Sequence, residues 1–547
     1  MRKNIGLLIN DLNTPFTSEA VKGAELGARA IDANMYIFPG MYLDNTLISD
    51  DHLQYEYQYN TLFQFANDNH LDILYIMMGL IGCRVDLDAR RRFLAQFLGI
   101  PVVILYTDMP GYPSMIFDNQ KAFMQGIRHL IIDHGAKNIG YVSGPKTNID
   151  AMERLNAYKK VLEEQNIPYN KNYVVYGNFE DSSEKLIGAF VSTHPELDAI
   201  VFANDEMAKG GYRMFAKLGL KVGRDILVVG FDNAPYASTL NPPLTTVEAN
   251  AAELAYKAII HTADFLDENA APVAQRVATH YIHRCSCGCA NYDYDSLASK
   301  LQLTGLLDEE KRPEILKHIM NYLFGTYTDT SMIVQLKDDL SVFFRLVCDL
   351  ARSEDIANDR LDVRTLFTQI IEQPIFSYTS VEFFVNLLFS LQFVLERQIQ
   401  NPEARIAFVD LFSSMYQQLS MSNFRTYQKQ YGSIAQITHL VDEISANLSL
   451  SKLTDLPFES ILKNMSAIGI HASFLYTYRQ PINHPHDTVF RKPDSLLLRA
   501  YTIENQAFGV PKNEQLVTVN SIFNNSKMRS DKRSTYILSP LFSQEQL

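Results

Sequence analysis

Residues 199–208 read Ala-Ile-Val-Phe-Ala-Asn-Asp-Glu-Met-Ala. A short apolar run closed by polar residues is the pattern of a strand buried on both faces, and the residues after it carry helical periodicity over 206–218. The same unit recurs on either side. Upstream lie a helix over 119–134, a strand over 138–143, a helix over 150–165, a strand over 173–176 and a helix over 182–194, and downstream lies a strand over 226–230. Strands separated by helices predict a parallel, doubly wound α/β sheet, and such sheets bind ligands beyond the carboxyl ends of their strands.

A similar series precedes it, with strands over 4–9, 35–38, 73–77 and 102–106 and helices over 17–33, 58–69 and 90–98. Two α/β halves in tandem are therefore expected. The whole chain has 547 residues, of which 47% are hydrophobic and 20% charged, so it is expected to fold as several globular domains. Lys and Arg number 49 against 62 Asp and Glu, and the net charge of −13 disfavours non-specific contact with phosphate backbones. The opening Met1-Arg2-Lys3-Asn4 leads into too short an apolar run for a secretory signal, and no stretch approaches the roughly 20 apolar residues of a spanning helix. Five cysteines in this length suit a reducing compartment. The expected location is the cytoplasm, with no membrane partner.

Beyond 290 the texture changes. Apolar residues recur at helical spacing in Leu336, Leu340, Phe343, Phe344, Val347, Leu350 and again in Phe384, Leu387, Leu388, Leu391, Leu395, predicting an all-α middle domain over 291–423. From Phe424 the steps to Tyr427, Tyr431, Ile434, Ile437, Val441, Ile444 and Leu448 are 3, 4, 3, 3, 4, 3 and 4. This heptad seam with one extra three-residue step suits a signalling and dimerisation helix over 424–450, or a helix packed on its own domain. Residues 451–547 read as a partial α+β domain, with a helix over 456–468 and strands over 472–478, 495–502, 516–520 and 536–542. Its end directly after a strand suggests a chain cut short of an output domain.

Motifs in the second half are closely spaced: Asp118-Asn119, Ile139-Gly140-Tyr141-Val142-Ser143-Gly144, Arg154 with Tyr158, Asn204-Asp205-Glu206-Met207-Ala208, Gly230-Phe231-Asp232-Asn233, and Pro242-Pro243-Leu244-Thr245-Thr246-Val247. This ordered series closely resembles the ligand-sensing core of the LacI/GalR family of bacterial regulators, related to periplasmic sugar-binding proteins. The resemblance covers about residues 4–285, within a sensor domain expected over 1–290. It implies two Rossmann-like lobes joined by three crossovers and closing on a small ligand, a sugar or nucleobase-like molecule. By motif position Arg154, Asn204 and Asp232 would grip the ligand from the second lobe. Phe179 would stack on it, Asp108 would add a polar contact, and Asp11 and Phe16 would complete the first-lobe wall.

The chemistry agrees, because a sugar's hydroxyls call for carboxylates, amides and a forked guanidinium, with an aromatic ring against its apolar face. Asn204 and Asp232 also suit helix or turn caps, Phe16 and Phe179 core packing, and Asp11 a turn. Where many family members place a ligand-reaching Gln, this chain has Ala249. Family repressors carry a helix-turn-helix headpiece before the first strand, whereas here that strand begins near residue 4, so direct DNA binding by this chain is not expected. Arg90-Arg91-Arg92 reads as a solvated surface.

The run Arg284-Cys285-Ser286-Cys287-Gly288-Cys289 resembles the ending of LacI-like sensors fused to diguanylate cyclases or histidine kinases. Its alternating spacing and three thiols with no obvious fourth ligand argue against zinc, so no metal and no cofactor are expected. His484-Pro485-His486-Asp487 reads as a loop. The residues after about 455 weakly resemble the start of a GAF-type domain. No Gly-x-Ser-x-Gly, P-loop or His-Glu-x-x-His is present in the sequence, and no catalytic role is expected. The sequence thus points to a homodimeric small-molecule sensor passing lobe closure to a signalling output outside this chain, which the resemblance implies is a diguanylate cyclase or kinase. The alternative is a LacI-type transcriptional regulator acting on DNA through a missing or partner DNA-binding domain.

Overall fold

The computed structural model describes residues 2–12, 14–43, 54–66, 70–97, 99–266, 274–289, 294–324, 331–353, 356–373, 381–425, 458–462, 465, 470–486, 488–503, 506–525, 527, 533–540, 542 and 545–547. The chain divides into two compact units, one of Met1–Tyr292 with Pro481–Lys492 and Ile522–Leu547, the other of Asp293–Gln480 with Pro493–Ser521. Among the described residues no helix is long and apolar enough to cross a membrane.

The first unit has two lobes. The first-lobe sheet is built from β1 (Asn4–Ile9), β2 (Asn34–Pro39), β3 (Ile73–Ile76), β4 (Val102–Leu105) and β5 (Ser114–Phe117), with helices α1 (Pro15–Ala30), α2 (Met78–Ile81) and α3 (Leu87–Leu94) between strands. The chain then enters the second lobe through α4 (Lys121–Ile132), β6 (Ile139–Ser143), α5 (Ile149–Glu164), β7 (Val174–Tyr176), α6 (Glu184–Thr193), β8 (Ala199–Phe202), α7 (Asp205–Lys217), β9 (Leu227–Val229) and β10 (Thr246–Glu248). It returns through α8 (Ala251–Ile260) and β11 (Ala274–Val277) to the first lobe, and crosses once more to β12 (His280–Ile282). The second-lobe sheet runs β7-β6-β8-β9, all parallel, and the first-lobe sheet runs β11-β5-β4-β3-β1-β2 followed by the strand Thr535–Ile537, also parallel. Near-continuous burial of β1, β3, β4, β6 and β8 follows from helices on both faces of each sheet.

Three crossovers therefore join the lobes, near residues 118–120, 249–250 and 278–279. Two are tied to each other: the Asp118 amide donates to Val277 O at 2.8 Å and Thr279 Oγ1 donates to Asp118 O at 2.7 Å. Helix α1 crosses α8 so closely that a Cβ at Gly23 would overlap the Ala252 backbone carbonyl. A backbone carbonyl cannot rotate out of the way. Gly23→Ala is expected to destabilise the protein by about 1–3 kcal/mol, read as a lower midpoint in urea unfolding.

Two sequence expectations change here. The helix expected over 58–69 is a 3-10 segment, Glu56–Ala66, in which Tyr57, Tyr59, Asn60, Thr61 and Phe63 are all weak helix formers. The larger correction concerns 451–547, which is not one domain. The strand Thr535–Ile537 pairs in parallel with Met35, Tyr36 and Ile37 of β2. Tyr536 stacks on Tyr36 at 4.9 Å, and Phe523 meets Tyr36 edge-on at 5.2 Å. Without this strand β2 would be a bare sheet edge, and Tyr36 and Phe38 are buried under the added segment. His484 lies in a loop, as expected, and that loop is held: its backbone carbonyl accepts from Tyr57 Oη at 2.8 Å and Gln58 Nε2 at 2.9 Å, and its ring Nδ1 lies 3.0 Å from Gln58 Oε1.

The second unit is helical up to residue 425, with helices Tyr294–Lys300, Arg312–Phe324, Ser331–Arg352, Ile356–Glu372, Val381–Glu396 and a helical stretch over 402–425. The spaced residues Leu336, Leu340, Phe343, Phe344 and Val347 are fully buried, as are Phe384, Leu387, Leu388, Leu391 and Leu395. An antiparallel sheet follows, of β13 (Ala472–Thr477), β14 (Ser495–Ile503), β15 (Gln506–Gly509) and β16 (Leu516–Thr518). The alternate burial along β14 is that of a sheet with one covered face. Beyond residue 425 the heptad seam lies outside the described residues.

Candidate ligand site

The second-lobe strands end in a cluster built around Arg154. Helix α5 is capped by Asn148, whose side chain accepts from the Ala151 amide, and it buries Arg154 to 7% exposure. Its Nη1 donates to Ala203 O at 2.6 Å beyond β8, while Nε and Nη2 both donate to Asn119 Oδ1 at 3.1 and 3.0 Å. Asn119, on the first crossover, donates in turn to Asp150 Oδ1 at 2.6 Å and Glu153 Oε2 at 3.0 Å. The guanidinium lies 3.5 Å from the centre of the Phe231 ring, and Nη1 is 4.0 Å from Asp232 Oδ1. A planar cation stacked on an aromatic face, with its fork pinned by one amide oxygen, is held in one orientation.

Asp232 follows β9 at φ +112° and Asn233 at φ +54°. Phe179 and Tyr106, each at φ +67°, share this rare backbone region, so four of the seven described non-glycine residues with positive φ sit at strand ends around the cleft. Such conformations persist only where the surroundings hold them, and they concentrate at ligand sites.

Burial pushes the Asp232 carboxyl up to about 7 against the pull of Arg154, although 29% of its side chain stays exposed. Its neighbour Asp205 is wholly buried; it accepts from Thr246 Oγ1 at 2.7 Å and from the Ala234 amide at 2.9 Å. Burial first, and then the charge of Asp232, push Asp205 up to about 8. A carboxyl raised in the folded state binds its proton more tightly there than in the unfolded chain, so its share of stability is full at low pH and is lost as pH rises towards 8. Wild type is expected to lose stability between pH 6 and 8 at up to about 1.4 kcal/mol per pH unit from this group, and Asp205→Asn should flatten that slope in melting curves at the two pH values.

Each residue expected at the site has a definite place. Arg154 and Asp232 come together. Asn204 caps α7 by accepting from the Met207 amide at 3.1 Å and donates to Phe179 O at 2.9 Å, so its side chain also shapes the loop that carries Phe179. The Phe179 ring covers Gly144 after β6, where a Cβ would overlap it. In the first lobe Phe16 packs edge-on against Tyr106 at 5.2 Å and Phe117 at 6.5 Å. Asp11 accepts from the Thr14 amide at 3.1 Å and from Asn10 Nδ2 at 2.7 Å, which fixes the loop before α1. Asp108 is exposed on the loop after β4.

Four further residues matter that motif reading passed over. Asn119 and Phe231 stood inside the quoted motifs, yet only the fold shows that both hold Arg154. Arg84 Nη2 donates to Glu180 Oε1 at 2.9 Å, an ion pair from the first lobe to the residue after Phe179 in the second, and the same guanidinium lies 4.0 Å from the centre of the Tyr42 ring. Arg90 is a correction: it is 3% exposed, and its Nε donates to Gly82 O at 2.9 Å, whereas Arg91 and Arg92 are exposed. A helix places consecutive residues about 100° apart, so one of three must face inward.

Residues 127–287 match the family of periplasmic binding protein-like domains. Among curated proteins, the chain is 28% identical over 247 residues to the ribose operon repressor of Halalkalibacterium halodurans, covering 45% of this chain and 67% of that protein. It is 26% identical over 265 residues to the HTH-type transcriptional repressor PurR of Mannheimia succiniciproducens, covering 47% and 72%. Among solved structures, transcription regulator CcpA of Lactococcus lactis aligns at 22% identity with a TM-score of 0.44, covering 52% of this chain and 99% of that one.

Proposed function

With a LacI/GalR-like ligand-sensing domain of the periplasmic-binding-protein type in residues 4–285 as the premise, we propose that the protein is a cytoplasmic, non-catalytic transcription regulator controlled by a small polyhydroxylated ligand. The observation that carries the ligand reading is the pinned Arg154 beside Asp232. Three of the five guanidinium N–H donors are taken by Asn119 and Ala203, which leaves two for Asp232 and an incoming hydroxyl. Asp232 supplies acceptors to the same ligand, and Phe16 and Phe179 supply apolar faces from opposite lobes. Asp11, Asn204 and Asp108 complete the set of ligand-binding residues in this reading. The relatives named as ribose operon repressors make a pentose the first candidate.

Those relatives also favour control of transcription over a cyclase or kinase output, and they lend no support to the expectation that the chain avoids DNA. Lobe closure would shift the protein between two arrangements by the ligand's differential affinity for them. Chromatin immunoprecipitation of the whole protein, with and without the ligand, tests this. A discrete set of genomic sites with ligand-dependent occupancy is expected, and uniform recovery of DNA in both states would move the output to signalling.

Dimerisation through the seam from Phe424 to Leu448 belongs to the same proposal. Ile437→Asp with Ile444→Asp places charges at two apolar seam positions and is expected to shift sedimentation from dimer to monomer; an unchanged sedimentation coefficient would leave the seam as packing within one chain.

A further inference from the structure

Outside the cleft, the fold gathers four soft donors that the sequence scatters. His129 lies in the last turn of α4, His283 directly follows β12, and Cys287 and Cys289 flank Gly288. One ligand atom from each lies within 4.8 Å of every other. Cys289 Sγ is 3.4 Å from His129 Nε2. Zinc bonds of about 2.3 Å to sulfur and 2.0–2.1 Å to nitrogen place tetrahedral donors roughly 3.3–3.8 Å apart, so small rotamer adjustments close this set around one ion.

The surroundings are those of a metal site. Nδ1 of His129 lies 2.6 Å from Asp133 Oδ2, the carboxylate partner that fixes a ligating imidazole with its other nitrogen turned to the metal. Among the described residues His283 Nε2 is buried with no hydrogen-bond partner. Gly288 takes φ +101°, a left-handed turn that brings the two flanking thiols to one side. His134 Nε2 is 3.2 Å from Cys289 Sγ, in reach to donate to a thiolate there. The alternating cysteine spacing argued against zinc for want of further ligands, and the fold supplies two imidazoles from 154 residues apart in sequence, 283 − 129.

We propose that Cys287, Cys289, His129 and His283 bind one structural zinc ion. Two thiolates and two imidazoles select zinc over the hard cations, and four protein donors leave no open position for chemistry. The ion staples α4 of the second lobe to residues 283–289, the segment by which the chain leaves the sensor.

The test uses the whole protein, purified without an affinity tag that binds metal. Elemental analysis is expected to find about one zinc per chain, and cobalt exchanged into the site should show thiolate charge-transfer and tetrahedral ligand-field bands. Cys287→Ser with Cys289→Ser should lower zinc content at least tenfold, while Cys285→Ser keeps it. Asp133→Asn leaves all four donors in place and should weaken zinc affinity by about 10–100-fold in chelator competition. Wild type that takes up no zinc on reconstitution, a double variant that retains it, or Asp133→Asn with unchanged affinity would each overturn the assignment.

Discussion

Arg154→Ala is expected to lower ligand affinity by about 10²-fold or more, because the variant loses the charge-assisted donors to the ligand and leaves Asp232 without its cation. The loss extends beyond the ligand. Asn119 Oδ1, which accepts two of the guanidinium N–H groups, and Ala203 O would both be stranded. Removing one partner of a buried, hydrogen-bonded charge costs about 2–5 kcal/mol. The variant should therefore also unfold at lower urea. Arg154→Lys distinguishes the two effects: an ammonium keeps the charge but cannot bridge Asn119 and Ala203 while lying flat on Phe231, so affinity should stay low even where stability partly recovers. Calorimetric titration together with urea melts reads both, and an Arg154→Ala protein that binds as wild type does would remove this residue from the site.

Phe523→Ala is expected to destabilise the first unit by about 3–5 kcal/mol. The ring is 6% exposed and lies against Tyr36 at 5.2 Å, Phe38 at 6.2 Å and His70 at 6.1 Å. Tyr36 Oη donates to the Phe523 carbonyl at 3.2 Å. A residue nearly five hundred positions away in sequence from β2 thus seals its edge. Removal of residues 522–547 should act in the same direction and expose the edge of β2 to association. If Phe523→Ala melts as wild type does, the packing of Phe523 on Tyr36 and Phe38 contributes nothing to this unit.

The two-lobed sheet was legible because most of its strands are short apolar runs and most of its helices carry their own periodicity; between Asn4 and Val229 the exceptions are the 3-10 segment Glu56–Ala66 and the strand Ser114–Phe117, which the sequence reading passed over. The C-terminal strand was not. Tyr536 and Ile537 read as a strand correctly, but nothing local says that their partner is Met35–Ile37 and not a nearby strand such as β16. Pairing is a long-range choice made by the uncovered edge of β2. At the site, the family resemblance named Arg154 and Asp232, and the fold brings their side chains together. The resemblance could not show that Asn204 spends its amide on Phe179 O, because a cap and a ligand contact demand the same residue at the same position. Arg90 and the histidines at 129 and 283 were missed for a shared reason: their meaning depends on which way a helix face or a strand end turns, which spacing along the chain does not encode.

Whether a small ligand is held between the lobes at the second-lobe strand ends is read by titrating the whole protein with D-ribose, other mono- and disaccharides and purine bases. Wild type and the Arg154→Ala, Asp232→Ala double variant would be run side by side. Saturable binding of one class by wild type is the expected result, with affinity at least about 10²-fold lower in the double variant. Equal binding of that compound by both proteins would contradict it.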